Sequence, residues 1–327
     1  MFSFIIPLSV DIDNQIASKN DSKINNSKTD FEKVLSGESI DDKEKVDEGL
    51  DLSNILEDVF KFDELPEDTV RLSASTIEQL FKDTNYSLSE VRRTKKVKPI
   101  RLSLLPNEMK SIENSGKRKN LFIKIILPLV LEENNRIIID RKKLFTILNK
   151  NKNSKDEIKW LNQKFKQYGV VNKDLATLKV RMDIIPVSLA IAQAAKETGW
   201  GTSRFAIEGN ALFGQWTWSG EGIKPAGADT NATYKVMKFN VLKASVRAYQ
   251  RNLNTHSSYK KFRFIRAQLR DDNKKLDSLK LAEYLDSYAQ TGTEYTKVLK
   301  QIIQQNQLKD FDEVKLLPLS VKYKNII

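Results

Sequence analysis

The sequence predicts a mainly α protein, α+β in class, whose helices are interrupted once by a small β-lobe and preceded by a disordered acidic arm. From Ile100 onward apolar residues recur at three- and four-residue spacing, the period of an amphipathic helix. The 29 residues from Gly199 to Gly227 hold 7 of the 12 Gly and 3 of the 4 Trp, a density that helices do not tolerate. Charge divides the chain: residues 11–68 carry 18 Asp and Glu against 7 Lys and no Arg, whereas the whole chain is +12. The remainder is therefore strongly basic.

Taken in order, residues 1–50 start with an apolar stretch (MFSFIIPLSV) that lacks a basic n-region, so they read as an incomplete export signal followed by an acidic segment. With few aromatics and many Asp, Lys, Ser and Asn, that segment has too little apolar surface to order itself. Residues 51–99 read as short helices and a basic linker. Leu52, Ile55, Leu56, Val59 and Phe60 share a helical face, Ser75 to Phe81 form a second helix, and Arg92 to Lys98 run into Pro99. These helices are expected to be satellites or a docking arm. Residues 100–310 form the main domain, and 311–327 a C-terminal tail.

Within the main domain, Leu121 to Leu148 is helical, and Trp160, Leu161, Phe165 and Tyr168 mark another helix ending before Gly169. Asp174 to Met182 adds a short one. Asp183-Ile-Ile-Pro186 then opens a helix, with Pro where the first turn needs no N–H. Its body, VSLAIAQAAK, is apolar on most faces and is expected to be buried. Thr233 to Val241 alternates like a strand. Helical spacing returns at Leu242, Val246, Tyr249 and Leu253, then through Phe262, Ile265 and Leu269, Leu279 to Tyr288, and Tyr295 to Ile303.

Composition excludes several chemistries. No stretch approaches the roughly 20 apolar residues of a membrane span: Leu121 to Leu131 is broken by Lys124 and stops at Glu132. With no Cys and one His, His256, a Cys/His nucleophile pair, a Cys-rich zinc site and a disulfide framework are all missing. No metal or cofactor is expected, and carboxylates, hydroxyls, Lys or Arg must do the work. A nucleic-acid partner is not expected either, since Arg-rich and aromatic-basic patches are missing. The basic body suits an anionic polymer or plain solvation.

The sharpest feature is Lys196-Glu197-Thr-Gly199-Trp200-Gly201. A carboxylate in the last turn of an apolar helix, just before a Gly able to take the left-handed cap, is disfavoured as an anion by desolvation and by the helix dipole. A carboxylic acid kept protonated near neutral pH is what a glycosidase uses to protonate a departing glycosidic oxygen. A lone Glu there is usually a surface residue. The flanks favour a site, because Trp200 and the run Glu208-Gly-Asn210-Ala-Leu-Phe-Gly-Gln-Trp216 set aromatic faces and close-approaching backbone beside it, suited to sugars. Trp216 and Trp218 divide between stacking on sugar and packing, Asn210 is a candidate substrate contact, and Glu208 reads as a loop-orienting residue.

The stretch Asp183 to Trp216 (DIIPVSLAIAQAAKETGWGTSRFAIEGNALFGQW) resembles the glucosaminidase domain of family-73 glycoside hydrolases, in their Bax-like branch of bacterial peptidoglycan-degrading enzymes. The resemblance continues through the Asn-Leu-Asn-Thr-His run at 252–256, Tyr288 and Tyr295 around Gly292, and LPLVLEENNRI upstream. It spans roughly residues 100 to 308 and implies a lysozyme-like helical domain with a small β-lobe and a glycan cleft. It also implies Glu197 as general acid and Tyr288 and Tyr295 as substrate-binding tyrosines, although the family's Tyr-Ala-Thr-Asp reads Tyr-Ala-Gln-Thr-Gly here. The implied activity is that of a peptidoglycan hydrolase, an endo-β-N-acetylglucosaminidase cleaving β-1,4 bonds after N-acetylglucosamine. A lytic transglycosylase and a non-catalytic wall-binding scaffold are the alternatives.

No family motif supplies a second carboxylate. Glu221 is the first candidate and Asp229 the other, while His256 reads as a helix-terminus hydrogen-bonder. The expected partner is a peptidoglycan glycan strand, met by a monomer in the periplasm or cell envelope, with membrane anchoring left open. A chain beginning near Ile100 is expected to keep activity.

Overall fold

The computed structural model describes residues 52–61, 63–67, 69–217, 222–225 and 234–318. The expectations for residues 1–50, Trp218, Glu221, Asp229 and the tail from 319 lie outside the described residues.

Twelve α-helices are described: α1 (Leu52–Phe60), α2 (Ala74–Asp83), α3 (Leu88–Thr94), α4 (Ser115–Leu148), α5 (Lys155–Gln167), α6 (Leu175–Arg181), α7 (Val187–Thr198), α8 (Arg204–Gly209), α9 (Leu242–Thr255), α10 (Lys260–Asp271), α11 (Ser278–Ala282) and α12 (Thr293–Gln305). Short 3-10 turns cover Asn107–Ser111, Ser257–Tyr259, Asp286–Tyr288 and Leu308–Phe311. The strands are β1 (Lys96–Val97), β2 (Trp216–Thr217), β3 (Gly222–Ile223), β4 (Lys235–Met237) and β5 (Lys315–Leu316). The class is the expected one, mainly helical with a small sheet.

Local chemistry sets the helix starts. Helices α2, α3, α5, α6 and α8 each begin at a Ser or Asp whose side chain accepts from a backbone N–H of the first turn, and Ser154 with Glu157 forms a full capping box. Helix α7 starts at Pro186, which has no capping side chain, and borrows one. The Asp312 carboxylate accepts from Ser188 N at 2.8 Å and from Ser188 Oγ at 2.7 Å. With its first turn held in this way, α7 lies in the middle of the core, buried from Val187 to Ala195. It packs against α4, α12 and the 308–311 turn.

Two sequence boundaries change as a result. The tail is not separate at 311, because Phe311 and Val314 are buried, Asp312 caps α7, and β5 pairs in parallel with β1. Nor are the 51–99 helices satellites. Ile77, Phe81, Tyr86, Leu88, Val91 and Val97 belong to the same hydrophobic cluster as α4 and α7. The stretch read as a basic linker is the end of α3 and strand β1, with Arg92 bound to Asp310 at 3.0 Å.

One bond explains why α4 needs that segment. Pro128 lies inside α4 and has no N–H, so the carbonyl four residues earlier, on Lys124, loses its helical partner. The buried Tyr86 hydroxyl donates to Lys124 O at 3.1 Å and fills the gap.

The β-lobe is an antiparallel sheet in the order β2-β4-β3, with Trp216 opposite Val236 and Ile223 opposite the same residue from the other side. Among the described residues, the strand expected at 233–241 is limited to 235–237. Beyond it Phe239 and Val241 pack with Val59 of α1 in a second small core that carries the chain into α9.

Candidate active site

Helix α7 ends as its sequence requires. Gly199 takes φ +58° and donates back to Ala195 O, leaving Glu197 half-buried in the last turn. Burial pushes its carboxyl above the ordinary range, while a hydrogen bond from Tyr295 and the nearby Lys196 charge pull it down by less. Gly214 lets the chain pass close by: it sits at φ +61°, and a Cβ there would come 3.2 Å from Glu197 Oε2.

The tyrosines come from later elements. Tyr295, on the first turn of α12, is only 2% exposed, so it meets Glu197 from the protein side and is not a surface for a sugar to lie on. Its hydroxyl bonds the Glu197 carboxyl and accepts from Gln193 Nε2 at 3.2 Å. Gln193 lies one turn before Glu197 on α7, and its Oε1 accepts from the Tyr249 hydroxyl at 2.7 Å. Tyr249, on α9, is stacked on Phe213, with centroids 3.8 Å apart.

Tyr288 stacks on Tyr295 at 5.4 Å and leans on Tyr259 at 5.9 Å, and its hydroxyl donates to Phe213 O at 2.8 Å. Burial raises the Tyr288 phenol well above its usual range and lifts Tyr259 to about 12, so both are neutral donors beside the acid.

The aromatic residues on the rim separate into two roles. Trp216 on β2 is 48% exposed and meets Tyr234 edge-on, so it presents a ring to solvent from the β-lobe. Trp200, at φ +62°, is half-buried; its ring is edge-on to Phe122 and lies beneath Lys119 Nζ at 5.1 Å.

Asn210 is not a cleft contact. It is buried at φ +48°, a conformation Asn tolerates, and its Nδ2 donates to Phe239 O and Asn240 O at 2.9 and 3.0 Å. It ties α8 to the segment entering α9. Glu208 pairs with Arg204 on the exposed side of α8. His256 caps the end of α9 and accepts from Ser258 N through Nδ1 at 3.3 Å, the hydrogen-bonding role read from sequence.

Sequence reasoning passed over Gln193, Tyr249, Tyr259, Phe213 and Gly214. The signal for Gln193 was present: it is a long polar side chain within the apolar run Leu189 to Ala195. Phe213 and Gly214 lie in the aromatic, Gly-bearing run already placed beside Glu197, whereas Tyr249 and Tyr259 had no signal, since their positions depend on how α9, the turn after it and α12 meet.

Residues 172–308, which include Glu197, Gln193 and the four tyrosines around them, match the family model described as mannosyl-glycoprotein endo-beta-N-acetylglucosaminidase. The chain is also similar to Protein bax of Escherichia coli (strain K12), at 34% identity over 214 residues, 63% of this chain and 75% of that protein. The chain belongs to the Bax-like glucosaminidase-domain proteins. No solved structure matches it. At family level a Bax-like glucosaminidase domain is a glycan hydrolase, and Glu197, half-buried, raised by burial and hydrogen-bonded by Tyr295, lies within the matched residues.

Proposed function

We propose that this chain hydrolyses bacterial peptidoglycan as an endo-β-N-acetylglucosaminidase, cutting β-1,4 bonds after N-acetylglucosamine with Glu197 as general acid. The carrying observation is a helix-end carboxyl that burial raises above the ordinary carboxylate range, held by a phenol and, among the described residues, shifted by no arginine. Trp216 is the exposed ring on which a sugar stacks, and Trp200 supplies a second aromatic edge.

Among the described residues, the groups that shift Glu197 are Tyr295 and Lys196, with no second carboxylate. A substrate-assisted route therefore suits the site. As the glycosidic C1–O bond breaks, the Glu197 proton goes to the departing oxygen and the carbonyl oxygen of the 2-acetamido group closes on C1. Water then adds at C1, the acetamido group reopens, and the Glu197 carboxylate takes the proton from that water. One water is consumed and the acid is restored. Glu221 remains the alternative as a protein base. The substrate places the reaction in the periplasm or cell envelope, and the basic body suits an anionic wall.

The test is mass analysis of fragments released from defined peptidoglycan by the full chain and by Glu197→Gln. The expected products end in reducing N-acetylglucosamine and carry one added water, while Glu197→Gln binds without cutting. Fragments ending in 1,6-anhydro-N-acetylmuramic acid would make the protein a lytic transglycosylase. Binding by the unaltered chain with no fragments would make it a wall-binding scaffold.

A further inference from the structure

Behind Glu197 runs a buried polar chain that acid catalysis alone does not call for: Tyr249, Gln193 and Tyr295, from three parts of the sequence, are 0%, 0% and 2% exposed. A core position of this kind is normally filled by apolar side chains, and a buried amide requires partners on both ends. Gln193 has them, and they lie in one line. Tyr249 donates to Gln193 Oε1, Gln193 Nε2 donates to Tyr295 Oη, and Tyr295 is bonded to Glu197.

The direction of this line follows from proton counting. A phenol has one proton to give. Because Gln193 Nε2 occupies Tyr295 Oη as a donor, the Tyr295 proton is free for the Glu197 carboxyl. Were the amide reversed, Oε1 would face Tyr295, take its proton, and leave Glu197 without that donor. The Tyr249 hydroxyl favours this orientation by donating to Oε1; facing a reversed amide, it would have to give up that donation and accept from the NH2 instead. Phe213, stacked flat on the Tyr249 ring, in turn fixes where that hydroxyl points.

We propose that Gln193 and Tyr249 are positioning residues which orient the Tyr295 hydroxyl so that it donates to one Glu197 oxygen and leaves the catalytic proton on the other, facing the substrate. The proposal rests on the reading of Glu197 as the acid, and it assigns function to two residues that touch no substrate. Among the described residues, the other groups that act on this carboxyl are Lys196 on α7, and Tyr259 and Tyr288 from the 3-10 turns at 257–259 and 286–288. None of them lies on the line.

The experiment uses the full chain labelled with 13C at glutamate Cδ, the Glu197 resonance being the one lost in Glu197→Gln. Its titration midpoint is measured in the unaltered protein and in Tyr295→Phe, Tyr249→Phe and Gln193→Glu, with thermal melts confirming that each is folded. Tyr295→Phe removes the donor directly and is expected to raise the midpoint by about half a pH unit to one unit. Tyr249→Phe, two links away, frees the amide to turn and is expected to raise it in the same direction by a smaller amount. Gln193→Glu draws the Tyr295 proton away and adds a negative charge, so it gives the largest rise. In glycan cleavage, the alkaline limb of the pH profile moves with the midpoint, because the acid must be protonated to act. A folded Tyr249→Phe with an unmoved midpoint, even if less stable, would overturn the relay. Since the resonance reads the relay without turnover, a protein that cuts no glycan would defeat the proposed activity alone.

Discussion

Two glutamates of this chain leave water and shift in opposite directions. Glu133, on α4, is 1% exposed, and burial alone would raise its carboxyl, but Arg136 and Arg247 outweigh burial and hold it below the ordinary range. Arg247 Nε reaches its two oxygens at 3.3 and 3.1 Å. Glu197, less buried, is raised by burial, because the Tyr295 phenol that donates to it carries no charge and lowers it by less than burial lifts it. The same side chain is an anchor where arginines meet it and an acid where a tyrosine does, and the partner matters more than the depth.

The comparison breaks most completely if α1 to α3 are removed. The backbone carbonyl of Asp58 on α1 accepts from Arg247, and the Asp58 carboxylate binds Arg251 at 2.8 Å, so α1 forms one wall of the Glu133 cluster. A chain starting at Ile100 also leaves Lys124 O without Tyr86 and uncovers the core at Val91 and Val97. The expected outcome is loss of the cooperative thermal melt, with activity lost alongside. A chain from Ile100 that melts cooperatively near the temperature of the full chain would show that the segment is dispensable, as its sequence suggested.

Exchanging each acid for its amide separates the two roles. Glu197→Gln is expected to lower glycan release by about 10²- to 10⁴-fold with the fold intact. Glu133→Gln takes the shared carboxylate from the buried Arg247 and the partly exposed Arg136 and is expected to cost about 3–5 kcal/mol of stability, read by denaturant unfolding. Gly214→Ala should fall between them: the residue is held at φ +61° and the new methyl presses on Glu197. About 1–2 kcal/mol of stability and roughly a tenfold loss of turnover are expected, measured on the same samples.

The smallest effect is in the pH dependence, and its sign differs between the sites. Glu133 is lowered on folding, so its stabilisation is present above the unfolded value of about 4.3 and is lost as pH falls through the folded value. Glu197 is raised, so the folded state holds the proton longer, and stability falls as pH rises from about 4.3 through the raised value. Glu197→Gln should therefore melt slightly higher than the unaltered protein at pH 7, with the difference vanishing near pH 4. A Glu197→Gln that is less stable at pH 7 would mean that the carboxylate is a structural partner after all.

Much of this organisation could be read from the chain alone, because it depends on neighbours within a few residues. The apolar run of α7, its Pro at one end and Gly199 at the other, the acid in its last turn and the Gly- and Trp-dense segment after it all follow from helix period, capping and backbone freedom. What tertiary structure decided are relations across long stretches of sequence. Composition made residues 51–99 look peripheral, yet their few apolar side chains meet α4 where Pro128 opens it, and no local pattern announces that a carbonyl 38 residues away needs Tyr86. Asn210 looked like a polar loop residue free to touch sugar, but it is buried and its amide nitrogen is spent on the backbone at 239 and 240. Gln193 stands out on its apolar helix and Tyr249 does not, but only the packing of α7, α9 and α12 joins them with Tyr295 into one line of hydrogen bonds. A sequence carries its periodicity and its caps locally, whereas the partner that sets whether a buried carboxyl is an anion or an acid comes from wherever the fold brings it.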